Sequence, residues 1–343
     1  MRSVRLRWNI VVLLSLLAIL LSSCRLPLEK AKIPLSGGSG QAVSAQGESR
    51  MEATLRKYAG YSALDIYIHS QIADVLGRYV ERFGNTETFD LQKEADLDRG
   101  VNLELKETNK LVEYTELTDK QPALPEVDNA VTKLAPKLEE LVKTLGEIDT
   151  YYRFRFYVDD DFTKGKALHG QLQALLKEWE PLAEDFTVIL HQSLMKQREL
   201  DLADFKANDQ MIRYHALESI IAAEVIDDEL TQGLTSETLN GLDVASYKGL
   251  YDRLTEKVAQ YIAMADDPER VNREGLDDYN LYGNMLKHKI MLVKASATDL
   301  LQRIEQSRTF NEYNKDGTPK DYKKKLQEAI LEYYVFVLDS NKG

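Results

Sequence analysis

Along most of this chain apolar residues return every three or four positions, the spacing that lines one face of an α-helix. Between Glu48 and Phe83 they fall at Leu55, Tyr58, Tyr61, Leu64, Ile68, Ile72, Val75, Tyr79 and Phe83, with Gly84 placed to cap the C-terminus. Asn85 to Gln121 is polar and weakly patterned, which predicts irregular structure with one short helix near Leu91–Leu105. Beyond Pro122 and Pro125, the series Val127, Val131, Leu134, Leu138, Leu141, Leu145, Ile148 and Tyr152 alternates steps of four and three. That is the seam of helices packed at a shallow angle. Pro136 lies within it and must either kink the helix or mark its start.

Tyr152, Phe154 and Phe156 alternate as a short strand would. The neighbouring patterns favour aromatics that finish one helix and line a turn. Asp159, Asp160 and Asp161 follow, where carboxylates can accept the orphan amides of the next helix and complement its dipole. In that helix Leu168, Leu172, Leu175, Trp179, Leu182, Phe186 and Ile189 keep the same spacing, and Pro181 predicts a kink. No glycine or proline occurs between Leu182 and Gln232, so helix runs with few breaks through Met211, Tyr214, Leu217, Ile221 and Val225. After a Gly233–Gly241 loop, Tyr247, Leu250, Tyr251, Leu254, Val258, Tyr261 and Ile262 form another helix, ended by Asp266-Asp267-Pro268. A longer one carries Leu281, Met285, Ile290, Leu292, Val293, Leu300, Leu301 and Ile304. Thr318-Pro319 fits a cap followed by proline at the first helical position. The last helix holds Leu326, Ile330, Tyr333, Tyr334, Val337 and Leu338. The fold class is all-α, an elongated bundle of about six or seven amphipathic helices.

The N-terminus follows another rule. Arg2, Arg5 and Arg7 precede an apolar run, Ile10–Leu21, of twelve residues. A bilayer-spanning helix takes about 20, so the segment reads as a secretory signal. Leu21-Ser22-Ser23-Cys24 resembles the bacterial lipobox, which implies cleavage after Ser23 and acylation of Cys24. The alternative is an ordinary signal peptide cut near a cysteine. Cys24 is the chain's single cysteine, so no intramolecular disulfide can form, and acylation accounts for an unpaired thiol in an exported protein. Arg25 occupies the position where aspartate retains enteric lipoproteins in the inner membrane. By analogy the expected location is the outer membrane, facing the periplasm. Residues 25–48, with Ser36-Gly37-Gly38-Ser39-Gly40, form a flexible tether of about 25–30 Å root-mean-square span. The chain therefore divides into a signal (1–23), a lipidated cysteine and linker (24–48) and a helical domain (49–343).

Charge narrows the partners. The chain has 44 basic and 56 acidic residues, net −12. Without Arg2, Arg5 and Arg7 the balance is 41 against 56, or −15. Nucleic-acid binders carry the opposite balance or a dense basic stripe. Lys320, Lys323, Lys324 and Lys325 make one tight basic cluster, read as a solvated helix face in preference to an anionic-lipid site.

The stretch Tyr151-Tyr152, then Tyr157-Val158-Asp159-Asp160-Asp161-Phe162-Thr163-Lys164-Gly165-Lys166-Ala167-Leu168-His169, resembles the YiiG-like family of bacterial lipoproteins of unknown function. Weaker echoes are Lys57-Tyr58-Ala59-Gly60-Tyr61 and Tyr333 with Phe336, Val337 and Asn341, although Gly60 and Tyr334 stand where the family's asparagine-containing signature is usual. The resemblance implies a domain covering Leu55 to Asn341, and export, but no activity.

Candidate chemistry gathers at the same stretch. Asp159, Asp160 and Asp161 could offer oxygens to Ca²⁺, yet they lack the alternate spacing of an EF-hand, and capping explains them more simply. His169 lies two helical turns beyond. Tyr152, Arg153, Arg155 and Tyr157 could line a groove for a glycan or peptide, against a turn packed by its own aromatics. His215 and Glu218 share a helix face, but no glutamate stands three residues before any of the five histidines, as a di-iron bundle requires. His-Glu-x-x-His, a P-loop and G-x-S-x-G are missing as well. The sequence thus predicts no cofactor and no metal, and a non-enzymatic envelope lipoprotein that binds a protein partner. The alternative is a small-ligand or metal module at 151–169.

Overall fold

The computed structural model describes residues 50–84, 102–233, 243–276, 279–306 and 317–339, and every regular element among them is helical. Cys24, the tether and the 233–241 loop lie almost wholly outside this set. Helix α1 (Arg50–Tyr67) continues through a π-helical turn (Ile68–Ile72) into α2 (Ala73–Phe83), a rod about 50 Å long at 1.5 Å per residue. Gly84 ends it at φ 81°, its N–H donating to the Val80 carbonyl. Most of the helix expected near Leu91–Leu105 lies outside the described residues. The short helix seen in this region is α3 (Thr108–Thr115), continued by a 3₁₀ turn (Glu116–Asp119).

Helix α4 (Pro125–Arg153) starts with Pro125 in its first turn, so Pro136 is interior and not a start. Its seam from Val127 to Tyr152 is buried throughout, as the spacing predicts. A tight turn with the four-residue α5 (Tyr157–Asp160) leads into α6 (Thr163–Ala207), 45 residues long and passing through Pro181. Beyond Pro181 the buried stripe of α6 is Ala183, Phe186, Leu190 and Leu194, one position off the predicted Leu182 and Ile189. A straight helix drifts about 20° per heptad from a 3.5-residue repeat, so over this length its buried face rotates from α4 toward α7.

Between α6 and α7 (Met211–Gly233) the chain breaks at Asp209, whose φ is 55°. Arg270 donates to the Asp209 carbonyl (3.0 Å) and pairs with its carboxylate (2.8 Å), with Arg273 at 3.5 Å. Two arginines from far along the chain thus hold a left-handed residue where no glycine is present. Helix α8 (Val244–Ala265) is capped by Asp243, and a short α9 (Pro268–Arg273) by Asp267. Then come α10 (Tyr279–Glu305) and α11 (Pro319–Asp339), where Thr318 Oγ1 accepts from the Asp321 N–H at 3.1 Å. Counting the α1–α2 rod once, the described residues hold seven long helices.

Side-chain pairs fix the directions. Tyr58 meets Ser193, Thr187 meets Asp65, and Tyr79 meets His169, so α6 runs antiparallel to the rod. Lys57 pairs with Asp128 and Phe83 packs on Tyr152, so α4 runs parallel to it. Helices α7, α8, α10 and α11 follow as an antiparallel series. Tyr322 of α11 donates to the Ala223 carbonyl of α7 (2.7 Å), and Tyr334 accepts from Ser62 of α1 (3.4 Å). One continuous hydrophobic core therefore runs through both helical groups.

Candidate functional site

The turn between α4 and α6 sits at the end of the molecule where the rod stops. Tyr151 donates to Asp160 Oδ1 (2.6 Å), and the Lys164 N–H donates to Asp160 Oδ2 (3.0 Å). Asp160 therefore accepts one of the orphan amides of α6, as expected of the aspartate run, although Phe162 is the N-cap residue, and the Tyr151 hydroxyl holds its carboxyl below the usual range. Arg155, Asp161 and Phe162 all adopt left-handed backbone, so the chain reverses twice within a few residues. Gly165 allows the close approach: a Cβ there would lie 2.7 Å from Tyr152 Oη and 2.9 Å from Tyr151 Cε1. Beneath the turn Tyr79, Phe83, Tyr152, Tyr157 and Phe162 form a run of ring contacts with centroids 4.5–6.0 Å apart. Above it Phe154, Phe156 and Val158 face outward at 65%, 46% and 72% exposure. The strand-like alternation thus reports two environments, a packed inner layer and an apolar knuckle in water.

This geometry separates the candidate residues. Tyr152 and His169 are buried, and the His169 Nδ1 bonds the Tyr79 hydroxyl inside the core. Tyr157 is half-buried on the ring stack, while Asp160 is occupied by the Lys164 amide. Arg153, Arg155, Asp159 and Asp161 face outward, with Arg153 paired to Asp149 (2.6 Å) and Glu104 (3.3 Å). Among the described residues no three His, Cys, Asp or Glu side chains are arranged to hold a metal ion. His215 and Lys257 both meet Glu218 (3.1 and 2.9 Å), a contact that ties α7 to α8. Three lysines of the basic cluster meet acids: Lys320 with Asp74, Lys323 with Asp227 and Lys325 with Asp321.

A second polar site escapes the sequence. At the π turn of the rod, Thr187 of α6 donates to Asp65 (2.6 Å) and lies 3.0 Å from His69 Nε2, itself 3.4 Å from Asp65. π turns recur at functional positions in helices. Asp227 of α7 lies 3.9 Å from Lys323 of α11, and Asp228 of α7 is within electrostatic reach of His191 of α6. The legible signal was Asp65 and His69 on one face; their partners stand more than 115 positions away.

Comparison with known proteins places this geometry in a family. The uncharacterized protein YiiG of Escherichia coli (strain K12) is 29% identical over 112 residues, which is 32% of this chain and 32% of that protein. The match therefore spans about a third of the curated relative. No solved structure matches the chain. A family model described as "Protein of unknown function (DUF3829)" matches residues 52–342, most of the rod through α11. On that coverage, and in keeping with the YiiG-like pattern around Tyr151–His169, the chain belongs to the DUF3829 family.

Proposed function

We propose that the protein is a non-enzymatic lipoprotein of the bacterial envelope, anchored through acylated Cys24, probing its surroundings with the α4–α6 knuckle. The observation that carries this reading is the placement of Phe154, Phe156 and Val158, exposed at the end of the rod remote from Arg50. Chain emerging before Arg50 leads back to the anchor, so the knuckle stands about 50 Å from where the tether enters the fold. Exposed aromatic side chains on a turn held by buried packing suit protein recognition, because aromatic residues are enriched at interfaces. The outer membrane, with the domain in the periplasm, is the location this reading takes.

A photo-crosslinking residue placed at Val158 of the full-length lipoprotein in cells tests it, with Leu200, 56% exposed near the tether end, as control. Reproducible capture of one envelope protein from position 158 alone, lost in a Phe154→Ser/Phe156→Ser chain of unchanged thermal stability, is the expected result. Identical neighbours from both positions would overturn it.

A further inference from the structure

The π-turn site and the facing acids form a junction of four elements. The rod contributes Asp65 and His69, and α6 contributes Thr187 and His191. Helix α7 contributes Glu224, Asp227 and Asp228, and α11 contributes Lys323. Glu224 is already neutralised, because Arg198 of α6 grips it through both guanidinium nitrogens. That leaves three carboxylates, Asp65, Asp227 and Asp228, facing one cation. The side chains retain little water: 13% exposure at His69, 19% at Asp227 and 26% at Asp65. Acids thus outnumber the lysine at the contact where α7 and α11 seat on α1 and α6.

Burying like charges in a low-dielectric contact is unfavourable, and proton uptake relieves it. We propose that this junction is a proton-loaded latch: protons gained by the Asp227–Asp228 pair tighten the seating of α7 and α11 on α1 and α6, so that mild acid holds the domain more firmly than neutral or alkaline solution.

The direction agrees at Asp227 and Asp228. Burial pushes the Asp227 and Asp228 carboxyls up, against the opposing pull of Lys323. A carboxyl raised in the folded state contributes stability that is complete below its unfolded pKa and is lost as pH climbs through the folded value. Asp65 behaves oppositely. Burial pushes it up, but His69, Thr187 and Lys323 outweigh burial and hold it low. Its contribution is present above its unfolded pKa and is lost as acid takes it through the lower folded value. The latch therefore has an acidic optimum, bounded below by protonation of Asp65.

The test is hydrogen exchange of α7 and α11 amides, corrected for intrinsic rates, in the mature chain carrying Cys24→Ser between pH 8 and 5. The expected result is a fall in the open fraction of roughly tenfold across the range from pH 8 to 5, the equivalent of one pKa unit. Asp228→Asn and Asp227→Asn should protect α11 at pH 8 and flatten the profile, whereas Lys323→Gln should steepen it. A wild-type open fraction that stays level or rises toward pH 5, or a slope untouched in both asparagine variants, would overturn the proposal. Should an asparagine variant fail to fold, His191→Gln, expected to steepen the slope as Lys323→Gln does, decides in its place.

Discussion

Lys57 is a lysine with 1% exposure in the middle of α1, and its removal is the sharpest probe of how the first helical group is held. Its ammonium donates to the carbonyls of Lys120 (2.9 Å) and Pro122 (3.1 Å) and to Asp128 Oδ2 (2.8 Å). One side chain thereby ties the connection after the 3₁₀ turn and the first turns of α4 to the rod. Lys57→Met keeps the stem and deletes the charge. Asp128, 15% exposed, would retain Tyr61 (2.5 Å) and the Leu124 N–H (2.8 Å) but lose its counter-ion. Stripping one partner from a buried pair costs about 3–5 kcal/mol. Two carbonyls left without a donor add about 1 kcal/mol each where water does not reach them. We expect a loss of about 5–7 kcal/mol, or a fall in Tm of about 10–28 °C at 2–4 °C per kcal/mol. Calorimetry gives the size, and hydrogen exchange of residues 116–128 shows whether that segment opens first. In a cycle with Asp128→Leu the double variant should recover about 2 kcal/mol through coupling. A loss below 1 kcal/mol, or strictly additive variants, would refute the reasoning.

Three further outcomes follow from the same physics. Gly165→Ala pushes a methyl into Tyr152 Oη and the Tyr151 ring and should cost about 1–3 kcal/mol in urea titration, while Gly170→Ala, which meets nothing within 4 Å, should not destabilise. Asp201 is 6% exposed and its carboxyl is raised to about 6, by burial first, so its stabilising contribution fades as pH rises through 6. Asp201→Asn should therefore gain midpoint stability at pH 7.5 relative to wild type and lose that advantage near pH 4.5. Cys24→Ala should abolish incorporation of labelled palmitate and release the protein from membranes. Continued labelling would place the lipid elsewhere.

How much of this was legible depends on how local each cause is. The α4 seam, the Gly84 terminus and the Thr318-Pro319 start were readable because period, caps and proline act within a few residues. Asp160 was readable as an acceptor for a helix amide for the same reason. The break at Asp209 was not, since the arginines that hold its left-handed backbone lie 61 and 64 positions on. The drift of the α6 stripe was hidden because it depends on which helix each turn meets. At the candidate site, residue types alone grouped Tyr152, Arg153, Asp159 and His169. Only the double reversal at Arg155 and Asp161 shows that two of these point inward and two outward.

The pairing of Ser62 with Tyr334 joins residues 272 apart, and α11 is wedged between α1 and α7. A ribosome releases the rod some 250 residues before the helix that covers it, so in the growing chain the faces of α1 and α7 meant for α11 stay bare. Long-range contacts of this kind slow folding and prolong exposure of apolar surface. Completion waits on α11, and a chain stopped short of Pro319 should be a chaperone client and protease substrate rather than a smaller working domain.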